Sequence, residues 1–343
     1  MRFAVTGAAG FLALHLIRRL ASNGELVRGL DVVPLEEPVP PGVEQIRGDV
    51  RDPAAARAAC RGVDVLVHAA AALPIQRSAR AIYSVNVDGT RNVLEAAVAE
   101  GVRRVVFVSS TAVYGFPEDH PVVETSPLAG VGAYGRSKIE AEALCARFAS
   151  RGVEHVILRP KTFLGPERLG IFEILFRWVY EGRRIYVLGD GTNRYQLLDV
   201  EDLVDAVLLA ATEPDAVGEA FNLGASVFGS VRSDLEALIR HAGSSSRLTP
   251  LPVRAAELAL RCLEVLRLSP LSEWHYRTAS RDSYVDVSKA HELLHWAPQL
   301  SNAEALCRSY DWYIVNRHRL ETSGVTHRRP WKQRSLGLLR RLS

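Results

Sequence analysis

Residues 2–20 read as a short β-branched and aromatic run, "RFAVT", a glycine-bearing turn, "GAAG", and then "FLALHLIRRL", whose apolar residues recur at helical spacing. A strand that passes straight into a helix through two glycines leaves few folds open. The helix must pack back on its own strand, and the next strand then returns parallel to the first by a crossover. The first half of the chain repeats this unit. "LVRGLD" and "VEQIRGD" read as strands, and Asp52-Pro53 opens a helix through Cys60. "VDVLVHAAA" is a strand, "IYSVNVDGTRNVLEAAVAEG" mostly helix, and "RRVVFVSSTAVYG" a strand with a loop. "YGRSKIEAEALCARFASRG" is a helix and "VEHVILRP" a strand. Near-continuous apolar strands alternating with helices predict an α/β fold, its parallel sheet covered on both faces.

After Pro160 the alternation breaks. Gly/Pro punctuation in "LGPERLG" and "GDGTN" separates a helix near 171–182 from short strands. "VEDLVDAVLLAATE" reads as a helix able to return to the main sheet, residues 231–242 and 252–267 read as helical, and "SYVDVSKAHELLHW" as strand then helix. The expected division is 1–165 as a nucleotide-binding core, 166–316 as a smaller, interleaved α/β substrate lobe with segments returning to the core, and 317–343 as a basic tail.

The turn carries Gly7, Gly10 and Ala13 as GxxGxxA. The first glycine permits the tight turn. The second lets the backbone approach a pyrophosphate, held by free N–H groups and the dipole at the helix start. The third position need only be small, and alanine adds one methyl. Such a turn could serve packing alone, but Asp31 closes the second strand 24 residues after Gly7, where a carboxylate accepts from ribose hydroxyls. No Arg or Lys follows in "DVVPLEEP", so NAD is expected in preference to NADP. Asp49 in "RGDVRD" suits the adenine edge.

"YGRSK" places Tyr134 and Lys138 four apart, on one helix face. An ammonium beside a phenol is expected to favour phenolate. The lysine can also hold the nicotinamide ribose. Ser110, ending the "VVFVSS" strand, can hydrogen-bond the same substrate oxygen. The trio suits removal of an alcohol proton while hydride leaves the same carbon.

In order, "TGAAGFL", "GDVRD", "VHAAA", "NVDGTRNVLEAA", "VSSTAVYG", "YGRSK" and "LRP…GP" resemble the extended short-chain dehydrogenase/reductase superfamily, and within it the NAD-dependent epimerase/dehydratase branch. The resemblance covers about residues 1–316. It implies a Rossmann-like doubly wound sheet, NAD tightly held, Tyr134 as base, Lys138 as its partner and Ser110 as the hydroxyl, with Thr111 as the lesser substitute. It puts His68, Ala69 and Ala70 along the cofactor, together with Phe11, Leu12, Val50 and Pro160. Asn86 supports the site, or caps the helix after it. "GDGTNRYQLLDVEDL" is similar to the stretch in which an arginine, here Arg194, meets a sugar nucleotide's diphosphate through its planar fork. Arg277 and Arg281 are both candidates for a second such arginine.

Two departures bear on the reaction. Ser110-Thr111-Ala112 lacks the Asp-Glu pair of sugar 4,6-dehydratases, which disfavours dehydration. "LRPKTFLGP" has Thr162, beside Lys161, where sugar epimerases commonly carry Asn, and such "LRP" variants also resemble 3β-hydroxysteroid-oxidising relatives. The expected activity is a nucleotide-sugar epimerase acting at C4 through a 4-keto sugar. The alternatives are a net NAD-dependent dehydrogenase or ketoreductase of a sterol-like or sugar alcohol, and a non-catalytic NAD sensor.

With 48% hydrophobic and 24% charged residues, the chain is that of a soluble globular protein. Its four cysteines have no metal-ligand spacing, so no metal and a reduced, cytoplasmic setting are expected. Met1-Arg2 leads directly into the first strand, and no run of about 18 apolar residues occurs, so neither leader nor membrane span is expected. Residues 317–343 hold eight basic side chains against Glu321, leaving the body of a chain of net charge +3 acidic. The tail reads as solvated, with peripheral contact to anionic lipid or a partner as the alternative. No nucleic-acid face is evident, and the resemblance suggests a homodimer.

Overall fold

The computed structural model describes residues 1–35, 37–73, 78–167, 169–265 and 278–323. In chain order they form β1 (Arg2–Thr6), α1 (Phe11–Ser22), β2 (Leu26–Asp31), β3 (Val43–Arg47), α2 (Pro53–Cys60), β4 (Val65–His68) and α3 (Ala79–Tyr83). A π-helical turn (Ser84–Gly89) then runs into α4 (Thr90–Glu100), followed by β5 (Arg104–Val108), a 3-10 turn (Thr111–Tyr114), α5 (Gly132–Ala149) and β6 (Glu154–Pro160). The later elements are β7 (Thr162–Leu164), α6 (Phe172–Tyr180), β8 (Arg184–Leu188), β9 (Leu197–Asp199), α7 (Val200–Thr212), β10 (Ala220–Leu223), α8 (Val231–His241), β11 (Arg247–Leu251), α9 (Val253–Val265), α10 (Ser288–Leu293) and α11 (Asn302–Ser323).

Contacts divide the chain into two units. The first holds Met1–Lys161, Val200–Leu223 and Asp286–Ala297; the second holds Thr162–Asp199, Gly224–Val285 and the described residues from Pro298. Each is therefore discontinuous in sequence.

The first unit is built on a seven-stranded sheet of order β10-β6-β5-β4-β1-β2-β3, parallel at every pairing. This is a Rossmann-like, doubly wound sheet. The strands "VLVH" and "RVVFV" are buried at every residue, as a sheet with both faces covered requires. On one face α2, α4 and α5 pack through Ala56, Ala59, Val93, Leu94, Ala97 and Leu144. On the other, α1 and α7 lie together. Strand order reverses between β1 and β4, and the crevice beyond the carboxyl ends of those strands is where such sheets take ligands.

α1 and α7 are also joined by charge. Glu201 accepts from His15 Nδ1 (2.6 Å) and Arg19 Nη2 (2.6 Å), and Arg19 Nη1 reaches Asp205 (2.7 Å). The His15 hydrogen bond, with help from Arg19, holds the Glu201 carboxyl down at about 2, against 4.5 for the free group. A depressed carboxyl contributes stability that is present above its unfolded value and lost as pH falls through the folded one. Glu201→Gln should therefore cost about 1–2 kcal/mol at pH 7, after allowance for its partial exposure, and almost nothing near pH 2. Denaturant unfolding at the two pH values checks this.

The second unit has two small parallel sheets, β8 with β11 and β7 with β9. Its core is aromatic: Phe176 lies edge-on to Tyr310 (centroids 5.8 Å apart) and packs with Trp178, Tyr313, Leu238 and Leu306.

Two expectations are corrected. Residues 283–286 form no strand: Ser283 makes an isolated bridge with Tyr195, and the Val285 N–H then goes to the Gln196 side chain instead of a neighbouring backbone. Position 317, where the basic tail is expected to begin, is not an element boundary: α11 continues to Ser323, and the Arg317 guanidinium lies 4.6 Å from the Tyr180 ring centroid. The rest of that tail lies outside the described residues.

Candidate active site

The glycine turn has the geometry its residue types demand. Gly7 has φ +69°, and its N–H donates to Leu30 O (2.9 Å). A Cβ there would stand 2.8 Å from the backbone of Ala70, so the chain passes at van der Waals limit. A Cβ on Gly10 would meet Gly7 O at 2.8 Å. Gly10 then caps α1 without a side chain, and the first turn holds no acidic residue. Phe11 and Leu12 open the helix and are buried, and Ala13 is 1% exposed, so its methyl fits the packing. A helix start of this kind, with no capping or acidic side chain over its N–H groups, is able to take an anion such as a pyrophosphate.

Asp31 sits beside it at the end of β2. Its carboxylate accepts from Ala9 N (2.9 Å) and Val33 N (3.0 Å), which fixes it against the turn with further lone pairs for a ribose. A 2′-phosphate would face this negative charge. NADP should therefore bind about 50-fold more weakly than NAD, or worse, and titration calorimetry with each measures the ratio. Asp49 is held by Arg51 through its backbone N–H, Nε and Nη2, and the hydrogen bonds from the Arg51 side chain pull its carboxyl down. Val50 is buried and packs on Gly89.

The His68 ring is committed to the framework. Nδ1 meets Thr6 Oγ1 (2.6 Å), Nε2 meets Thr90 Oγ1 (2.9 Å), and burial pushes its pKa down to about 3. Only its backbone, with that of Ala69 and Ala70, is left to line the crevice. Ala70 N donates to Thr6 Oγ1. Asn86 is a clamp and not a helix cap. Its Oδ1 accepts from Ala72 N (2.7 Å), and its Nδ2 donates to Ala72 O and to Ser137 Oγ on α5.

Ser110, Tyr134 and Lys138 are brought together. Ser110 caps the 3-10 turn, accepting from Ala112 N (3.2 Å), and its hydroxyl lies near enough to the Tyr134 phenol to favour the phenolate in part. Lys138, 2% exposed, donates from Nζ to Val108 O (2.8 Å) and lies 4.8 Å from the Phe107 ring centroid. Burial brings its pKa down to about 8, with the Glu142 carboxylate opposing. The expected lowering of the phenol by the lysine is not found. Burial raises Tyr134 above its ordinary value, and the Ser110 hydroxyl only partly offsets this. The reason is geometric: the ammonium is spent on a backbone carbonyl, and desolvation of a phenolate dominates. Thr111 directs its hydroxyl to Pro160 O (3.3 Å), which leaves Ser110 as the hydroxyl paired with the phenol.

In the second unit, Thr162 Oγ1 pairs with Tyr195 OH (2.9 Å). The exposed Arg194 guanidinium lies over the neighbouring rings of Phe228 (4.6 Å) and Tyr284 (4.5 Å), while its backbone N–H donates to Asp282. Arg281 is in the adjoining segment, its carbonyl accepting from Asn193 Nδ2 (2.9 Å). Arg277 lies outside the described residues.

A buried polar chain behind the trio escaped the sequence reading. Ser109 Oγ donates to Glu142, Glu142 takes a two-pronged hydrogen bond from Arg159 (3.0 and 2.6 Å), Arg159 Nη1 donates to Tyr114 OH (2.8 Å), and Tyr114 OH donates to Asn222 Oδ1 (2.8 Å). The one visible signal was Glu142, four residues beyond Lys138 in "YGRSKIEAE".

Residues 3–224 match the model of the NAD dependent epimerase/dehydratase family. The chain belongs to that family. It is an NAD-dependent enzyme of the epimerase/dehydratase type within the short-chain dehydrogenase/reductases, and NAD is its cofactor. Among relatives, the uncharacterized protein y4nG of Sinorhizobium fredii is 36% identical, covering 98% of this chain and 84% of that one. A UDP-glucose 4-epimerase of Mycolicibacterium smegmatis is 28% identical (91% and 98%), and a 3 beta-hydroxysteroid dehydrogenase/Delta 5→4-isomerase of Mycobacterium tuberculosis is also 28% identical (91% and 90%). The crystal structure of UDP-glucose 4-epimerase with UDP-glucose from Thermotoga maritima superposes with a TM-score of 0.77 at 23% identity, covering 92% of this chain and 99% of that one. It shares the fold.

Proposed function

We propose that the protein is a nucleotide-sugar epimerase that inverts C4 through a transient 4-keto sugar. NAD, held at the Gly7–Gly10 turn and Asp31, would supply a reversible acceptor for the hydride of the substrate carbon. Tyr134 accepts the C4 hydroxyl proton and gives it back after the ketone has presented its other face. Ser110 holds the same oxygen and tethers the phenol. Lys138, released from Val108 O toward the ribose, orients the cofactor and brings positive charge to the developing phenolate. Arg194 offers the edge of a stacked guanidinium to the diphosphate, with Arg281 or Arg277 as its partner and Thr162 nearby in the same unit. The Ser110 hydroxyl near the Tyr134 phenol, on the helix that also carries the buried Lys138, carries this reading; the Gly7 turn and the named epimerases among its relatives support it.

A second reading, net oxidation of a sterol-like or sugar alcohol, draws on the equal 28% identity to the hydroxysteroid dehydrogenase and on Thr162. One assay separates the two: UDP-, GDP-, dTDP- and CDP-sugars are followed by NMR for isomers and by absorbance for NADH. Isomer without net NADH supports epimerisation, and stoichiometric NADH supports oxidation. A homodimer in the cytoplasm completes the reading. Among the described residues, no helix is long and apolar enough to cross a membrane.

A further inference from the structure

Tyr134, Lys138 and Glu142 stand at successive four-residue steps on α5, so one helix face carries phenol, ammonium and carboxylate in a row. The carboxylate is 5% exposed and is held from two other elements. Ser109, next to Ser110 at the end of β5, donates to it, and Arg159 of β6 grips both its oxygens. Arg159 is in turn tied to Tyr114 in the 3-10 turn that Ser110 caps, and to Glu124 O (3.1 Å). Every segment that presents a member of the trio is therefore anchored to this one carboxylate.

We propose that Glu142 is a positioning residue for Lys138, and that Arg159 tempers its charge, so that the pair together set the pH at which Lys138 stops being an ammonium. This rests on the reading of Tyr134 and Lys138 given above. Lys138 is enclosed, so its charge depends on its fixed neighbours. A carboxylate one helical step away favours the ammonium, and the guanidinium bound to that carboxylate disfavours it. Removing either member should move Lys138 in opposite directions.

The other groups around Lys138 are silent over the relevant range. His68 of β4 is held neutral by burial, which pushes its pKa down to about 3, and Lys138 adds to that. Cys145, one turn beyond Glu142 on α5, is pushed far up by burial and stays a thiol. Tyr114 is raised to about 12. On the helices packed against α5, Arg80, Asp88 and Glu95 are exposed to solvent and Arg91 is half-buried.

The test is NAD affinity by titration calorimetry between pH 6.5 and 9.5, which needs no substrate. In the unaltered protein the affinity should begin to fall near pH 8, as the ammonium is lost. Lys138→Met should abolish that fall. Glu142→Gln should move it down by about half a pH unit or more, Arg159→Met should move it up by a similar amount, and the double variant should return it close to the unaltered position. A purely structural network would lower affinity at every pH without moving the fall in opposite directions. Should Glu142→Gln not fold, Arg159→Met against the double variant makes the same comparison. A lysine-dependent fall at one common pH in these variants, or one that moves the same way in both single variants, overturns the proposal while leaving the trio in place. A fall that survives Lys138→Met overturns the reading of the trio itself.

Discussion

Tyr134→Phe is expected to lower turnover by about two orders of magnitude or more while NAD affinity stays within about threefold. The change removes one oxygen. It takes away the group that exchanges the carbinol proton, and it leaves Ser110 without its phenol partner. The Gly7 cradle, Asp31 and Lys138 are untouched, so cofactor binding persists. Turnover is read by NMR on the nucleotide sugar found in the panel, and NAD binding by calorimetry. An equal loss of both would point to a folding defect. Unchanged turnover would remove Tyr134 from the chemistry.

The second large effect is expected from Gly7→Ala. At φ +69° an L side chain is strained, and the new methyl would stand 2.8 Å from Ala70 Cα and N and 3.0 Å from the Ala69 carbonyl carbon. Backbone cannot yield as a side-chain tip can, so the turn must open. The variant should lose about 2 kcal/mol or more of stability and bind NAD at least about 30-fold more weakly. Gly24→Ala is the control. Gly24 has φ +78°, but nothing lies within 4 Å of a Cβ there. It should be destabilised by about 1 kcal/mol with unchanged NAD affinity. If Gly7→Ala also kept its NAD affinity, the cradle would not be the phosphate site.

These effects rest on features with different visibility in the sequence. The alternation of strands and helices through Pro160 was legible because buried parallel strands are apolar throughout and each helix carries its own period. The nearness of Gly7 to Gly10 and of Tyr134 to Lys138 was legible because each pair lies along one turn or one helix face, and the place of Asp31 because it closes the next strand. The grip of Arg159 on Glu142 was not, since 17 residues and a helix-to-strand packing separate the partners and neither spacing carries a period. The commitment of the His68 ring to Thr6 and Thr90 joins residues 62 and 22 positions away, so the ring looked like a wall of the crevice when it is part of the framework beneath it. The direction of Lys138 was hidden for a different reason. Its spacing from Tyr134 indicated a shared face, but the nearest acceptor, Val108 O, is a backbone atom that no side-chain pattern displays. Residues 283–286 have a strand's composition, but their backbone makes only isolated bridges, and the Val285 N–H goes to the Gln196 side chain, a partner no local pattern displays.

The central claim is that one carbinol gives up hydride from its carbon and a proton from its oxygen and receives both back. The most direct measurement follows deuterium placed at C4 of the nucleotide sugar found in the panel during turnover with bound NAD. The account predicts a C4 epimer that keeps the label at C4, with no release to solvent and no build-up of NADH. Label lost to water, or one NADH for each product molecule, would contradict it.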